Sequence, residues 1–513
     1  MNTNEHNKKP ILKVKNERAA GILLHISSLP GNFGIGDFGN ADKFIDFLQK
    51  SRQKVWQILP LNVISGIAGY SPYSSPSAFA GNPLFIDPYN LIEQGLLSKK
   101  AVNRVREKRS SKVNYLTAEK TKLHLLQSAY KQFFKDDDKR HHSYFSYCEK
   151  ADYWLNDFAV FMTLKENFQG LRWSEWPKEY RHRDSHHVKQ FILENKSEID
   201  YIKFTQYIFD FQWKRIRQQA NDSGIQIFGD MPIYLSYDSA EVWANPEMFK
   251  LNNDLSMQTV AGVPPDYFNE DGQNWNMPIF KWEDLDKTNY NWWLKRIERN
   301  MEWFDMLRLD HFRGFSSYWE IPADESTAKN GTWQKGPGEA LFNMVQSAFP
   351  RYPLIAEDLG LIDQAVYDLR DKFDMPGMRV AQFGYEGELS ENIHYPDNYV
   401  KNSVAYTGTH DNNTLKGWYY NDIDKEVRDR LAGKLNHIEG VKTINELVIQ
   451  EVLNSSAGLA MIPLQDWLEL DEGSRMNKPS TLSGNWLWKI AHGKVFSRRL
   501  KRKIIKMTEQ AGR

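Results

Sequence analysis

The sequence predicts an α/β protein whose fold class is a (β/α)8 TIM barrel with large, mostly helical insertions between the strands. Eight short apolar runs recur along the 513 residues, and most of them end in polar residues. Continuous apolar runs with polar ends are typical of strands that are buried on both faces, as in a parallel sheet. Helical patterns lie between the runs, for example at residues 41–51, 291–304 and 421–456. Strands and helices that alternate eight times favour a closed barrel.

The elements follow one another at uneven spacing. An N-terminal extension, residues 1–20, precedes the first apolar run, and a basic helix is predicted at residues 491–513. The barrel is predicted to occupy residues 21–61 and 225–490, interrupted by a mostly helical subdomain at 62–224, because that gap is too long for a loop. The predicted strands are GILLHISSLP (21–30), VWQILPL (55–61), IQIFGDMPIY (225–234), FDMLRLDHF (304–312), PLIAEDLG (353–360), MRVAQFGY (378–385), SVAYTGTHD (403–411) and GLAMIPLQDW (458–467).

Composition and charge narrow the classes of function. The 66 Lys and Arg residues balance the 66 Asp and Glu residues, and this neutral charge argues against a surface that binds nucleic acid. The single cysteine, Cys148, cannot form an intrachain disulfide. The N-terminus lacks the apolar region of a signal peptide, and no run of about eighteen apolar residues could span a membrane. We therefore expect a cytoplasmic protein with no membrane or nucleic-acid partner.

Titratable residues, mostly carboxylates, collect at the ends of the predicted strands. Active sites of such barrels lie at the C-terminal ends of the strands, so residues from distant parts of the chain would meet at one rim. The residues at these ends are His25, Asp230, Asp310, Glu357, His410 and Asp411.

Arg308 and Asp310 are two residues apart in the fourth predicted strand. Residues at i and i+2 of a strand point to the same side, so the guanidinium would stand beside the carboxylate. A neighbouring positive charge favours the ionised carboxylate, and an ionised carboxylate in a cleft is a competent nucleophile. A buried structural ion pair is the alternative for these two residues taken alone.

Glu357 follows the apolar run PLIA at the end of a predicted buried strand. Partial desolvation there would raise the pKa of its carboxyl group and allow it to act as a general acid. An aspartate of low pKa that faces a glutamate of higher pKa is the pair that retaining glycosidases need. Asp411, with His410 beside it, supplies a third anionic group that could hold sugar hydroxyls.

A metal site is the rival use for these acids. Metal ligands converge and commonly include His, and His410 and Asp411 could belong to such a set, but no H-x-x-x-H or D-x-D pattern accompanies them. His182 and His186 in RHRDSHH have a helical i, i+4 spacing, yet their polar neighbours favour a solvated face. No glycine-rich phosphate cradle of either common type is found. The sequence therefore predicts neither a metal nor a cofactor.

Eight stretches of the sequence, in this order, carry a resemblance to a known family. The chain resembles the 4-α-glucanotransferases, also called amylomaltases or disproportionating enzymes, of glycoside hydrolase family 77 in the α-amylase clan, over roughly residues 20 to 490. The stretches are SPYSSPSAFAGNP (71–83), GDMPIYLSYDSAEVW (229–243), AGVPPDYFNEDGQNW (261–275), LRLDHFRGF (307–315), YWEIP (318–322), IAEDLG (355–360), TGTHDNNT (407–414) and RMNKPST with GNWLWK (475–489).

The resemblance implies a catalytic role for three acids. Asp310 would be the nucleophile that forms a covalent β-glucosyl intermediate, and Glu357 would be the acid/base. Asp411 would stabilise the transition state, with His410 beside it on the substrate hydroxyls. Arg308 would orient the nucleophile.

The resemblance also implies contacts with the sugar chain. Asp230 would hold the donor sugar at the −1 position, and Tyr73 would stack on that sugar. The loop 261–275 would cover the cleft with Trp275 near its end, and Asn477 would line the cleft. Members of the family often read E-A-R-M-N and P-G-T where this chain has Gly473-Ser474-Arg475 and Pro479-Ser480-Thr481, which bears on loop shape near the acceptor side.

The implied function is transfer of a 1,4-α-D-glucan segment to the 4-hydroxyl of glucose or another glucan, with maltooligosaccharides, other linear α-1,4-glucans and glucose as partners. An α-glucan hydrolase of the same clan is the main alternative, because both reactions share the covalent intermediate. A non-catalytic glucan-binding protein would lack one of the three acids. A nucleic-acid-binding protein could use the 17 tryptophans as stacking platforms, but the neutral charge disfavours it. The oligomeric state is left open.

Overall fold

The fold was taken from a computed structural model, and its central feature is a parallel sheet of eight strands. The structure describes residues 12–135, 140–265, 269–437, 440–481 and 483–513. The strands among these residues are β1 (Ala19–Leu23), β2 (Val55–Gln57), β3 (Gln226–Met231), β4 (Thr259–Val263), β5 (Gln273–Pro278), β6 (Met306–Leu309), β7 (Ser317–Pro322), β8 (Thr332–Lys335), β9 (Leu354–Ala356), β10 (Gly377–Val380), β11 (Ser403–Tyr406) and β12 (Leu459–Pro463).

The eight parallel strands form a barrel. Their order is β10-β11-β12-β1-β2-β3-β6-β9, and the first strand pairs with the last one in the chain, Ala19 opposite Leu459. At the seam between β9 and β10, the backbone N–H of Ala356 donates to the carbonyl of Pro376 at 2.9 Å. Each predicted apolar run overlaps one of these strands, so the predicted barrel is confirmed. The strands are shorter than the runs, because the polar ends form the turns of the rim.

Helices surround the barrel and fill the long connections. Residues 41–51 and 291–304 form helices as predicted, and the segment 421–456 is also helical. The α-helices of the described residues are α1 (Ala41–Lys50), α2 (Pro88–Glu93), α3 (Lys99–Arg104), α4 (Tyr115–Phe133), α5 (Arg140–Lys150), α6 (Asp152–Asn167), α7 (His186–Glu194), α8 (Lys196–Asp222), α9 (Ala240–Ala244), α10 (Trp282–Lys287), α11 (Asn291–Trp303), α12 (Arg313–Ser316), α13 (Gly338–Ala348), α14 (Gln364–Lys372), α15 (Leu415–Gly417), α16 (Lys425–His437), α17 (Ile444–Asn454), α18 (Leu464–Trp467) and α19 (Arg498–Gln510).

The connection between β2 and β3 contains the helices α2 to α8, and the division at residues 62–224 stays a prediction. One detail of the sequence reading is wrong here. Helix α7 begins at His186 with Ser185 as its N-cap, so His182 lies in the preceding turn and the two histidines do not share a helix face. No described helix is both long enough and apolar enough to cross a membrane.

A second, antiparallel sheet of order β5-β4-β7-β8 was not predicted. It corrects the picture of residues 261–275 as one long covering loop. Residues 261–263 belong to β4 and 273–275 belong to β5, which pair as a hairpin. Residues 266–268 of that loop lie outside the described residues.

The alternation of side chains along the barrel strands separates an apolar interior from a polar rim. In β3, Phe228 lies in the apolar cluster and Asp230 follows two residues later on the same side of the strand; Met306 and Arg308 repeat this order in β6. The strands therefore deliver charged groups to the C-terminal rim above an apolar layer. The buried members of that layer are Leu12, Val14, Ala19, Val55, Phe228, Met306, Ile355, Met378, Val380, Val404, Tyr406, Leu459 and Met461.

The last helix, α19, is amphipathic and packs against the rest of the protein. Leu500, Ile504 and Met507 are buried on one face, which is the spacing of a helical stripe. The C-terminal Arg513 donates to the carbonyls of Ala19 in β1 and Ala457 beside β12. Arg513 therefore ties the segment that follows α19 to the first and last strands of the barrel.

Candidate active site

One buried guanidinium joins three carboxylates from three strands. Arg308 Nη1 lies 2.8 Å from both carboxylate oxygens of Asp230 and 2.7 Å from Asp310 Oδ1. Its Nη2 lies 3.9 Å from Glu357 Oε2. Burial by itself would lower the pKa of Arg308, but Asp230 and Asp310 raise it well above the usual range, so the group stays charged. The expected proximity of Arg308 and Asp310 is present, and two further predicted acids join them.

Asp310 follows the last residue of β6 and is the more accessible acid of this group, with 26% of its side chain exposed. The next residue, His311, has φ +49°, in the left-handed region that residues other than glycine rarely adopt. This sharp turn directs the backbone N–H of His311 onto Glu357 Oε2 at 2.6 Å. The turn that follows Asp310 therefore also holds the Glu357 carboxyl group in place.

Glu357 is buried at the end of β9, and its second oxygen accepts from the N–H of Leu359 at 3.2 Å. Burial raises the pKa of Glu357 to about 8; Arg308 acts in the opposite direction and Asp310 adds to the rise. The carboxyl group is therefore mostly protonated at neutral pH and can donate a proton. This agrees with the desolvated glutamate expected from the sequence.

Tyr73 and Asp230 form one wall of the site. The hydroxyl of Tyr73 donates to Asp230 Oδ2 at 2.9 Å, and Asp230 is 1% exposed near the end of β3. Burial raises the pKa of Tyr73 well above its usual value, so the hydroxyl remains a donor. The ring of Tyr73 lies parallel to that of His410, with centroids 5.0 Å apart and an angle of 12°.

Asp411 lies beyond β11, and its side chain is 42% exposed. Its Oδ2 is 3.3 Å from His410 Nε2, and its Oδ1 accepts from the amide of Asn477 at 2.6 Å. Arg475 donates to the backbone carbonyl of Asp411 at 2.6 Å. The segment that departs from the family pattern at Gly473 and Ser474 therefore retains the two residues that hold Asp411.

Trp275 reaches the site from β5 of the antiparallel sheet. Its ring meets that of His311 edge to face, with centroids 4.8 Å apart and an angle of 88°. The residue next to Asp310 is thus in contact with an aromatic side chain, and aromatic faces suit sugar rings. All nine residues singled out from the sequence lie in this connected group of contacts.

Two histidines of the site had no role in the sequence reading. His311 contacts Glu357 through its backbone N–H, and a pattern of side chains in the sequence cannot predict such a contact. His25, after β1, is 6% exposed, and burial lowers its pKa to about 3 with a contribution from His410. Its position at a predicted strand end was the only signal in the sequence.

Asp358, beside Glu357, has a different environment. It is 1% exposed, accepts from the N–H of Met378 at 2.6 Å and pairs with Arg370 at 2.5 Å. These contacts tie the end of β9 to β10, where the barrel seam lies. Within the described ranges, no group of three or more His, Cys, Asp or Glu side chains could hold a metal ion.

Comparison with known proteins agrees with this geometry. The family model described as 4-alpha-glucanotransferase matches residues 24–494. The 4-alpha-glucanotransferase of Aquifex aeolicus (strain VF5) is 43% identical over 474 residues, covering 92% of this chain and 95% of that relative. The enzyme of the same name from Clostridium butyricum is 43% identical over 498 residues, covering 96% of this chain and 100% of that relative.

Solved structures give the same result. The amylomaltase from Streptococcus agalactiae in complex with acarbose has a TM-score of 0.93 and 37% sequence identity, covering 97% of this chain and 100% of that one. The amylomaltase from Corynebacterium glutamicum, 17% identical with a TM-score of 0.79, shares the fold. On the family model and the relatives of this identity and coverage, the chain belongs to the 4-alpha-glucanotransferases, glycoside hydrolase family 77.

Proposed function

We propose that this 4-alpha-glucanotransferase moves a segment of a 1,4-α-D-glucan to the 4-hydroxyl of glucose or another glucan by retaining double displacement, with Asp310, Glu357 and Asp411 as its catalytic acids. The observation that carries the mechanism is the contrast around Arg308. Asp310 is paired directly with that guanidinium at 2.7 Å, whereas Glu357 is 3.9 Å from it and has a pKa of about 8. One acid is therefore held ready to attack and the other to protonate.

In the first displacement, a carboxylate oxygen of Asp310 attacks the anomeric carbon of the donor. The bond from that carbon to the glycosidic oxygen breaks, and Glu357 gives its proton to the departing oxygen. A covalent β-glycosyl ester on Asp310 and a shortened glucan with a free 4-hydroxyl result.

In the second displacement, the 4-hydroxyl of the acceptor attacks the same carbon. Glu357, now ionised, takes the hydroxyl proton, and the ester bond to Asp310 breaks. Two inversions leave the new bond in the α configuration, and both acids return to their starting states.

The sugar in the −1 position would rest on Asp230 and Tyr73 and face His410 and Asp411. The Asn477 amide holds Asp411 in place, so that the carboxylate can bind sugar hydroxyls in the transition state. The chemistry of this wall fits maltooligosaccharides and other linear α-1,4-glucans as donors, and the solved amylomaltase relative holds acarbose.

Transfer rather than hydrolysis requires that the acceptor sugar outcompetes water for the covalent intermediate. A well-placed acceptor gains from its orientation, and a covered cleft excludes water. The β4–β5 hairpin brings Trp275 over the residue next to Asp310, where an acceptor ring could stack. We also propose a cytoplasmic location, in keeping with a single cysteine and no possible intrachain disulfide.

The test is to incubate the protein, dialysed against EDTA, with maltotriose alone and to separate the products by size. We expect a ladder of longer oligomers together with glucose. This result would show that disproportionation proceeds without a metal ion. Glucose and maltose without longer products would mean that the chain is a hydrolase.

A further inference from the structure

The residues 71–83, here named the donor-site loop, carry Tyr73 but form no strand or α-helix. The position of the Tyr73 hydroxyl on Asp230 therefore depends on side-chain contacts made elsewhere in the loop. At the far end of the loop, the side-chain amide of Gln206 in α8 makes two hydrogen bonds with the backbone of Gly81. Its oxygen accepts from the Gly81 N–H at 2.8 Å, and its nitrogen donates to the Gly81 carbonyl at 2.9 Å. Arg299 of α11 donates to the carbonyl of Phe79.

Near Tyr73, the loop is held by helix α9. Ser77 donates its hydroxyl proton to Glu241 Oε1 at 2.7 Å, and the same hydroxyl oxygen accepts from the N–H groups of Phe79 and Ala80 at 3.1 Å each. The N–H of Ala240 donates to the carbonyl of Pro76 at 2.9 Å. Glu241 is 5% exposed. A buried carboxylate therefore accepts the hydrogen bond of the serine that organises this part of the loop.

The positive charge of Arg296 acts on the Glu241 carboxylate. Arg296 of α11 is 2% exposed, and its guanidinium donates to the carbonyls of Pro232 and Ile233, just beyond the end of β3. Burial raises the pKa of Glu241 to about 7, and both the Ser77 hydroxyl and Arg296 favour its ionised form. Glu241 therefore holds the loop of Tyr73, and Arg296 holds the backbone that follows the strand of Asp230.

A merely structural role explains this arrangement poorly. Burying a carboxylate and a guanidinium costs desolvation energy, and apolar residues of similar volume often give equal or greater stability. What apolar residues cannot supply is a directed hydrogen bond to Ser77 and to the backbone after β3. Glu241 anchors the loop and Arg296 anchors the segment after β3, and the loop and the strand meet at the 2.9 Å contact between Tyr73 and Asp230.

We propose that Glu241 is a positioning residue for glucan transfer, which acts through Ser77 to set the place of Tyr73 against Asp230. The inference rests on the proposed donor-site roles of Tyr73 and Asp230. It predicts that the contribution of Glu241 to catalysis passes through Tyr73 and disappears when Tyr73 is removed.

The experiment is a double-mutant cycle with Glu241→Ala and Tyr73→Ala, read as kcat/KM for maltotriose disproportionation. Glu241→Ala is expected to lower kcat/KM by about 10- to 100-fold, since a displacement of about 1 Å can cost about 10²-fold. In the Tyr73→Ala background the same change should cost less than about threefold, because residues that act through one another are not additive. Glu241→Gln keeps an oxygen for the Ser77 hydroxyl and should restore most of the activity.

The matched control is Asp37→Asn. Asp37 is a buried carboxylate in a comparable environment, paired with Lys122 at 2.5 Å, with side chains 4% and 1% exposed. This variant should lower the Tm and change kcat/KM equally in both backgrounds. If Glu241→Ala does not fold, Ser77→Ala replaces it in the cycle; this variant removes the same hydrogen bond, together with those from Phe79 and Ala80, with a smaller loss of volume.

Additive effects of Glu241→Ala and Tyr73→Ala would overturn the positioning role while leaving the donor site in place. Tyr73→Ala with unchanged kcat/KM would instead overturn the donor-site role of Tyr73, and the inference with it. A loss in Glu241→Ala that Glu241→Gln does not relieve would also contradict the proposal, since the hydrogen-bond acceptor would be present again.

Discussion

Two buried arginine–aspartate clusters in this protein have the same components and different surroundings. Arg299 binds Asp210 with two nitrogens at 2.7 and 3.0 Å, and Arg308 binds both oxygens of Asp230 at 2.8 Å. No more than 5% of any of these four side chains is exposed.

The difference lies in what completes each cluster. Asp210 also accepts from the indole N–H of Trp303, whose ring lies 4.4 Å from the Arg299 guanidinium carbon. Around Arg308, by contrast, two further acids approach, and Asp310 is partly open to solvent. The Arg299 cluster is closed by Trp303 and by Glu302, which pairs with Arg299 Nη1 at 2.6 Å, and it stabilises packing. The open Arg308 cluster has three acids around one arginine and can bind a substrate and move a proton.

The largest expected effect comes from the open cluster. Asp310→Asn removes the proposed nucleophile and should lower kcat by at least about 10³-fold. The Tm should stay close to that of the wild type, because the Arg308–Asp230 contacts remain. Maltotriose disproportionation measures kcat, and thermal unfolding measures Tm. Substantial residual transfer would contradict the assignment of Asp310 as the nucleophile.

Glu357→Gln should have the next largest effect, a loss of about 10²- to 10⁴-fold in kcat with maltotriose, because general acid catalysis is removed. A glycosyl fluoride donor needs no proton on its leaving group, so its first displacement should be impaired far less. Equal losses in the rate of the first displacement with both donors, measured as the initial burst of fluoride or of leaving sugar, would mean that Glu357 is not the acid.

The pH profile sharpens the same assignment. Because the folded-state pKa of Glu357 is raised to about 8, the acid form is lost as pH rises through that value. The kcat/KM for maltotriose should fall roughly tenfold per pH unit well above it. In Glu357→Gln this alkaline limb should vanish; its persistence would point to another titrating group.

The closed cluster should respond in stability and hardly at all in catalysis. Asp210→Asn removes the buried partner charge of Arg299 and leaves only the half-exposed Glu302 beside it, which should cost up to about 3–5 kcal/mol of folding free energy. We expect a clear fall in Tm with kcat of the folded fraction within about twofold of wild type, because Arg299 still donates to the Phe79 carbonyl and the Ser77 contacts of the donor-site loop remain. A large drop in kcat with an unchanged Tm would mean that the Arg299 cluster serves catalysis and not stability, contrary to this comparison.

The sequence was most informative where a local pattern decides the structure. Uninterrupted apolar runs identified all eight barrel strands, and the period of two correctly placed Arg308 beside Asp310. The desolvation of Glu357 followed from its place at a strand end. The sugar-binding roles came from the family resemblance and stay predictions until variants are measured.

Other features depend on contacts that no local pattern encodes. All four residues of β8 are exposed, so this strand has no apolar run to reveal it, and the antiparallel sheet was missed. His311 contributes a backbone N–H, which is independent of its side chain. Glu241 is a glutamate in a short helix, and only its distant partner Ser77 shows why it is buried.

The pairing of β1 with β12 has a consequence for how the chain is made. At about 5–20 residues per second, roughly 20–90 s pass between synthesis of Ala19 and of its partner Leu459. Throughout that time, one edge of the first strand is without its neighbour and open to wrong pairing. Asn477 emerges later still, so we expect the nascent polypeptide to stay inactive until that residue has been made, because Asn477 holds Asp411. A contact as distant in sequence as that of Ala19 with Leu459 should also slow folding.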